Sequence, residues 1–340
     1  MRTAFLYFFA LIVLFGLESC NDKSWEVDTS SMKWEMELNR FDLRLIELSK
    51  DGLSLEEFSA LKEEYPRLHP LFVAGVMQFD LSSEQRAIES LNRFLQNKDI
   101  RALFEEVKKE FPEGSLVEHV AEIDQGFKAF QHYFPDKPIP ELASMVSAFN
   151  YSTVVDDSLL VIGLDMYLGE EYLNYKKAGI PQYKYKNYEK EYIVSDALKA
   201  WIFTEFEENG SRNLLEEMIF QGKIIYLLMA FLPNQDLMHF LNYDAEDLQW
   251  CESNGSEIWY HFIDMELFYI SENFTIRKYL GDAPFITGFP EGSPGRVGIW
   301  LGYQIVHAFM EEKSQTSLPD LMATDPSKIL QQSNFKPKRN

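Results

Sequence analysis

The stretch from Leu214 to Pro233, LLEEMIFQGKIIYLLMAFLP, places the strongest constraint on what this chain can fold into. Its apolar residues occupy almost the whole circumference of a helical wheel. A helix that is apolar nearly all round must be covered by other elements on every side. The chain has 340 residues, of which 46% are hydrophobic and 15% aromatic, so it has enough apolar side chains to enclose such a helix. The sequence therefore predicts a core built around one long buried helix.

One acidic residue of this helix needs a partner. On the wheel, Glu217 lies among Phe220, Ile224 and Leu228, with Gln221 one turn further along the helix. A carboxylate in apolar surroundings must be paired or hydrogen-bonded, because an isolated buried charge is costly. We therefore expect Glu217 to be a half-buried structural acid held by a basic side chain.

The same helix has the outline of a zinc-peptidase helix with the motif H-E-x-x-H. Glu216 and Phe220 stand where the two histidines would be, and only Glu217 matches. A catalytic zinc needs three protein ligands, and the paired histidines of the motif supply two of them. Phe220 has no atom that could ligate a metal. The sequence therefore predicts no metal, no cofactor and no catalytic residue at this helix.

Three glycines predict close helix packing. Gly222 faces the apolar side of the long helix, where another backbone could approach it, and Gly298 and Gly302 lie four apart in RVGIWLGYQIVHAFMEE. Tight packing would draw Arg296, at the start of that second helix, towards the core. We therefore expect Arg296 to pair with an acidic residue of the core.

The candidate polar cluster extends to the end of a strand. Asp165 follows the apolar run in IGLDMYLGE, where it could point into a cleft or cap the next turn. Glu217 is the first choice of partner for Arg296, and Asp165 is the alternative. The predicted buried cluster comprises Glu217, Gln221, Arg296 and Asp165. A weaker candidate surface lies at helical spacing in SEIWYHFID and comprises Glu257, His261 and Asp264, although a helix face with a satisfied histidine explains it equally well.

Most of the remaining pattern is helical, with one region of strands. Capping residues predict helix starts, and prolines 112 and 135 end two helical runs. The predicted caps are Ser54 with Glu57, Ser195, Asp244 and Asp325 before Pro326. KWEMELNRFD (33–42) alternates like an edge strand, and residues 143–169 contain two or three strands, the last centred on Leu159 to Leu164. A tyrosine-rich loop, residues 172–192, follows them.

The N-terminus has the pattern of an exported lipoprotein. Residues Ala4 to Leu17 are apolar, a length typical of a signal peptide and too short for a membrane span. The run ends in LESC, which resembles a bacterial lipobox with Cys20 as the lipidated residue. Cys251 is the one other cysteine, so we expect no internal disulfide. The net charge of −22 argues against nucleic-acid binding, which needs a basic surface.

Several motifs together resemble one family. The lipobox, FPDKPIP, DSLLVIGLDMYLGEE, EEMIFQGKIIYLLMAFLP, SEIWYHF and RVGIWLGYQIV occur in this order, and the chain resembles the gliding motility lipoprotein GldB of Bacteroidota. The resemblance implies a cell-envelope lipoprotein that is required for gliding and linked to type IX secretion. It also implies a zincin-like α+β architecture that is mainly helical, with a small sheet and a degenerate H-E-x-x-H position on the long buried helix.

The expected organisation and function follow from these observations. We expect a signal peptide over residues 1–19, a tether over 20–32, a helical part over 33–136 and a zincin-like part over 137–340. The last two form either separate parts or one domain. The protein is expected to be anchored in the envelope by lipid, facing the periplasm, and to bind motility or secretion proteins without catalysis. Two alternatives stay open: a hydrolase with Glu217 as general base, and a periplasmic binder of small molecules.

Overall fold

In the computed structural model, which describes residues 25, 27–207 and 212–337, the protein is an α+β structure dominated by helices. Cys20 and its signal sequence lie outside the described residues. The strands are β1 (Leu38–Asn39), β2 (Glu141–Met145), β3 (Thr153–Asp156) and β4 (Leu159–Gly163). The helices that precede β2 are α1 (Phe41–Asp51), α2 (Leu55–Glu64), α3 (Leu68–Pro70, continued by a π-helical turn over Leu71–Val76), α4 (Glu84–Leu95), α5 (Lys98–Glu110) and α6 (Val117–Tyr133).

The second half of the chain is helical after β4. Its helices are α7 (Leu173–Lys177), α8 (Gln182–Tyr185), α9 (Ile193–Phe206), α10 (Leu214–Phe231), α11 (Leu237–Leu241), α12 (Ala245–Ser253), α13 (Gly255–Asp264), α14 (Asn273–Leu280), α15 (Val297–Glu312), α16 (Leu318–Ala323) and α17 (Pro326–Gln332). Short 3-10 turns cover Leu164–Met166, Lys190–Tyr192 and Leu267–Tyr269. None of the helices in the described residues is long and apolar enough to cross a membrane.

The predicted long helix is α10, and it is buried as expected. Asn213 caps its first turn in a reciprocal capping box with Glu216, and the helix ends at Phe231, just before Leu232 and Pro233. A residue that precedes proline is pushed out of the helical region, which explains the end point. Buried residues occupy nearly every face of α10. The core therefore forms around this helix because no side of it can face water.

Glycines let α10 and α15 approach until their backbones touch. A Cβ placed on Gly222 would lie 2.5 Å from the carbonyl carbon of Gly302, and a Cβ on Gly302 would lie 2.0 Å from the carbonyl oxygen of Met218. Both distances are too short for any residue other than glycine. The prediction of close helix packing at Gly222 and Gly302 is therefore confirmed, and this crossing fixes how the start of α15 sits beside α10.

A small mixed sheet of four strands packs against the helices. Its order is β1-β2-β4-β3, with β1, β2 and β4 parallel and β3 antiparallel to β4. β4 is buried along its whole length, whereas β3 is half-buried at the edge. The strands predicted around residues 143–169 are present. The edge strand expected over 33–42 is confined to β1, because the helix begins at Phe41. Because β1 pairs with β2, the ladder connects the chain on the two sides of residue 137.

Local signals located most of the helix ends. The capping boxes at Ser54 and Asp244 form, and Asp325 caps α17. The predicted cap at Ser195 is wrong, because α9 begins two residues earlier and the Ser195 hydroxyl donates to the Tyr192 carbonyl 3.0 Å away. The preceding 3-10 turn (Lys190–Tyr192) runs directly into the helix. The expected tyrosine-rich loop also contains the short helices α7 and α8.

Candidate functional site

A polar cleft opens beside α9, at the free edge of the sheet. Its volume of about 650 Å³ lies within the range of ligand-binding pockets, about 300–1,000 Å³. Strand β3, helix α9, Gln221 of α10, the segment 183–188 and the loop before α15 surround it. The cleft combines an edge strand, one complete helix face and several charged side chains in one concave surface.

Helix α9 presents one face to the cleft and the other to the core. The residues that line the cleft have the spacing of a single helix face and are Asp196, Lys199, Ala200, Phe203 and Thr204. The opposite face is apolar and buried, and includes Leu198, Trp201 and Ile202. The burial of this second face orients the helix, so Asp196 and Lys199 face the cleft.

The two charged residues of α9 that line the cleft have perturbed titration behaviour. Asp196 accepts a hydrogen bond from the hydroxyl of Tyr167 at 2.9 Å, and burial raises the pKa of Asp196. The Lys199 ammonium donates to the carbonyl of Phe240 at 2.9 Å. Burial and the positive charge of Arg296 lower the pKa of Lys199 to about 7, although Asp196 and Asp282 oppose the shift. Perturbed groups that share a cleft are typical of functional sites.

Arg296 reaches the same cleft from the start of α15. Its backbone is left-handed, with φ 60° and ψ 17°, and its amide donates to the carbonyl of Gly281 at 3.2 Å. Its Nη1 donates to the Leu241 carbonyl at 3.3 Å, and its Nε lies 3.4 Å from Oδ1 of Asp282. That Nε contact lacks hydrogen-bond geometry, so among the described residues the buried Nε has no hydrogen-bond acceptor.

Glu217 is half-buried as predicted, but its partner is different. Oε1 of Glu217 lies 3.6 Å from Nη1 of Arg212, and the Arg212 guanidinium covers the ring of Phe220 at 4.1 Å. Burial raises the pKa of Glu217, and the charge of Arg212 opposes the shift. The predicted Glu217–Arg296 pair is therefore wrong. Glu217 lies one turn before Gln221 on the same face of α10, but only Gln221 lines the cleft that Arg296 reaches, and the Glu217 carboxylate faces Arg212.

The structure brings only part of the predicted polar cluster together. Gln221 and Arg296 both line the cleft. Asp165 is fully buried elsewhere and accepts hydrogen bonds from the backbone amides of Ser147 (2.9 Å) and Phe149 (2.6 Å). Burial raises the pKa of Asp165 to about 6, despite these bonds. Asp165 thus holds a turn in which Ala148 and Phe149 have positive φ, instead of pairing with Arg296.

The weaker candidate surface behaves as a helix face with a satisfied histidine. Nε2 of His261 lies 2.8 Å from the hydroxyl of Tyr279, and its ring packs on Phe289. Burial lowers the pKa of His261. Along the described part of the chain, His261 forms no hydrogen bond or ion pair with Glu257 or Asp264, so these three residues do not make one polar site.

Sequence reasoning missed the two residues at the centre of the cleft, Asp196 and Lys199. A usable signal was present, because both are charged residues three apart within the mostly apolar run IVSDALKAWIF. Like Glu217, each is a charged side chain among apolar residues and therefore needs a partner. Throughout residues 25, 27–207 and 212–337, no group of three or more His, Cys, Asp or Glu side chains is placed to hold a metal ion.

Comparison with family models shows the family to which the chain is similar. The family model described as gliding motility protein GldB matches residues 22–337, which is nearly the whole chain. Neither the curated proteins nor the solved structures contain a match.

Proposed function

The chain belongs to the family of gliding motility protein GldB, and from that premise we propose that it is a lipid-anchored component of the cell envelope that supports gliding and is linked to type IX secretion. The lipobox-like sequence ending at Cys20 supports the anchor. A single acyl chain binds membranes only marginally, so stable attachment needs more than one chain at this cysteine. The anchored domain would face the periplasm.

The cleft is the part of the protein that binds a protein partner, and it does so without catalysis. The observation that carries this proposal is the set of side chains at its centre. Asp196 and Ala200 lie one turn apart on α9, and Gln221 comes from the neighbouring α10. A pair at i and i+4 with a third residue from another element is the layout of a zinc site. Ala200 has no ligand atom, and a glutamine amide is a poor ligand for zinc.

This layout also revises the position of the degenerate zinc motif. The sequence placed it on α10 around Glu217, which does not line the cleft. On this proposal Asp196, Ala200 and Gln221 occupy the ligand positions of the motif, while its glutamate position is Ala197, which is buried in the core. On this proposal the fold is zincin-like, and the former active-site cleft persists as a binding site after loss of its metal ligands.

One observation favours a hydrolase as the alternative. Lys199 has a pKa of about 7 and lines the cleft, and a neutral amine there could act as a general base. Glu217 fits that role less well because it lies outside the cleft beside Arg212. The purified full chain should leave unfolded casein intact. If wild type hydrolyses casein and the Lys199→Met variant does not, the protein is a hydrolase and the proposal of binding without catalysis is wrong.

Complementation of a deletion strain tests the proposed function. Wild type should restore spreading on agar, whereas Cys20→Ala should leave the membrane fraction and fail to restore it. Ala200→Trp should also fail, because the indole fills the cleft without removing a charged group. The matched control is Ala178→Trp, since Ala178 is an exposed residue outside the cleft. Normal gliding by either Cys20→Ala or Ala200→Trp, at wild-type abundance, would contradict the corresponding part of the proposal.

A further inference from the structure

Strand β3 has a free edge whose geometry is defined. It lies at the end of the sheet and pairs only with β4 on its inner side. In an antiparallel ladder, residues alternate between bonding the neighbour and directing their N–H and C=O groups away from it. The Gly163 amide donates to the Ser152 carbonyl at 2.8 Å, which fixes the phase of this alternation. Thr153 and Val155 are therefore the residues whose backbone groups point away from β4.

These same two residues line the cleft. Thr153 and Val155 belong to its surface, whereas Val154, whose backbone faces β4, does not. Natural proteins usually protect an exposed edge with lysine, proline or a bulge, because unpaired backbone groups are a template for another strand. β3, Thr-Val-Val-Asp, is short and ends in the exposed Asp156, but it has no lysine, proline or bulge. The two residues whose backbone groups point away from β4 thus both border a space large enough for a ligand.

The charge of the cleft differs from that of the rest of the protein. The whole chain has 32 basic and 54 acidic residues. The cleft is lined by four basic side chains and three acidic ones, namely Lys184, Lys186, Lys199 and Arg296 against Asp196, Asp247 and Asp282. Lys186 is held by Asp244 and Asp247 at its rim, and Lys184 is exposed. Lys199 and Arg296 are therefore the basic side chains of the interior, with Asp196 and Asp282 as its acidic ones. An acidic group is therefore repelled less here than over the rest of this surface.

We propose that β3 is a docking strand for an extended segment of a partner protein, which adds a strand to the sheet through Thr153 and Val155 and places an acidic side chain beside Lys199 and Arg296. This inference rests on the proposed function, since it specifies how the cleft would bind its partner. Main-chain hydrogen bonds supply affinity in this mode, and side-chain contacts supply specificity. Because β3 lies inside the cleft, a second copy, whose own β3 is equally recessed, cannot pair with it.

The probe for the test is a displayed library of linear dodecapeptides, selected on the full chain purified in detergent. The tightest binder is then synthesised, and amide hydrogen exchange is measured with and without it. Binding should slow exchange at Thr153 and Val155, whose amides are open, and change Val154 little, since its amide already faces β4. This readout needs no variant, so it stays decisive even if a substitution in β3 unfolds the protein.

A proline variant tests the backbone contact directly. Val155→Pro removes one outward N–H, and proline is tolerated on an edge strand where its nitrogen faces away from the ladder. Its peptide affinity should fall about tenfold, the value of one to two hydrogen bonds. Val155→Ile keeps the N–H and the β-branched shape, so it should bind like wild type. Lys199→Met should weaken peptide binding. In that variant, replacing the acidic residue of the peptide by its amide should lower the affinity no further.

Several results would overturn the inference. The inference is overturned if the library gives no binder, or if the bound peptide slows amide exchange elsewhere but not in β3. It is also overturned if folded Val155→Pro binds the peptide with full affinity. Slow exchange in β3 of concentrated protein without peptide would indicate self-association instead. The proposed function can be judged separately. If strand addition fails but Ala200→Trp still abolishes gliding, the cleft binds its partner in another way and the broader proposal stands.

Discussion

Replacing Gly302 with alanine tests the helix crossing that forms the cleft. The new Cβ would lie 2.0 Å from the Met218 carbonyl oxygen, whereas real Cβ contacts under 3.0 Å essentially never occur. The obstacle is the backbone of a buried helix, which cannot rotate aside as a side chain can. α10 and α15 must therefore separate by about 1 Å, and Arg296 at the start of α15 would move relative to Gln221.

The expected loss of stability follows from two opposing effects. Overpacking a core costs about 1–3 kcal/mol, and a backbone clash belongs at the upper end of that range. Alanine in place of glycine within a helix returns about 1 kcal/mol. The net loss is about 2 kcal/mol. With an unfolding entropy of about 2.1 cal/mol/K per residue, a chain of this size should lose about 3 °C in melting temperature.

Guanidinium unfolding followed by far-UV circular dichroism measures the change, with a glycine of a looser helix as control. Gly75 lies in the π-helical turn over Leu71–Val76, and a Cβ there would meet only the flexible end of Leu71, at 3.2 Å. Gly75→Ala should not lower the free energy of unfolding, and the higher helix propensity of alanine should raise it by up to about 1 kcal/mol. The reasoning is refuted if Gly302→Ala is as stable as wild type, or if Gly75→Ala loses as much.

Four further predictions follow from the site. Glu217→Gln should leave the melting temperature nearly unchanged at pH 7, because burial raises the pKa of Glu217 and its partly exposed pair with Arg212 contributes only about 1 kcal/mol or less; a large drop would show a stronger pair. Burial raises the pKa of Asp165 to about 6, so folding favours its protonated form. Protonated Asp165 therefore adds about 3 kcal/mol to the free energy of unfolding. This stabilisation is complete below pH 4 and is lost as the pH rises through 6. In denaturant titrations, the free energy of unfolding of wild type should therefore fall between pH 4 and pH 6 relative to that of Asp165→Asn. The same dependence on pH in both proteins would contradict this. Burial lowers the pKa of Lys199 to about 7, so its rate of modification by cyanate, mapped by mass spectrometry, should rise with a midpoint near pH 7; a midpoint near 10 would reject the perturbed environment. Elemental analysis of the mature chain should give well under one equivalent of zinc, since Ala200 cannot serve as a ligand, and stoichiometric zinc with chelator-sensitive peptidase activity would contradict the proposal.

Features that depend on near neighbours in the chain could be read from the sequence. Ser54 and Asp244 cap their helices through amides only three residues away, and Pro233 ends α10 by acting on the residue before it. The close approach at Gly222 and Gly302 was also predictable, because a glycine on the buried face of a helix leaves room for a second backbone. Ser195 is the exception, since the 3-10 turn before it extended the helix past the expected cap.

The identity and composition of the site were decided by the tertiary structure. The sequence could show that Glu217, Asp165 and Arg296 each need partners, but a partner can come from any element that packing brings near. Glu217 meets Arg212 at its own helix start, Asp165 meets the backbone of a turn, and Arg296 meets Asp282. The cleft itself exists because α9 buries its apolar face and the α10–α15 crossing sets Arg296 beside Gln221. Those positions depend on contacts between residues far apart in the chain, where no local pattern determines which side chains meet.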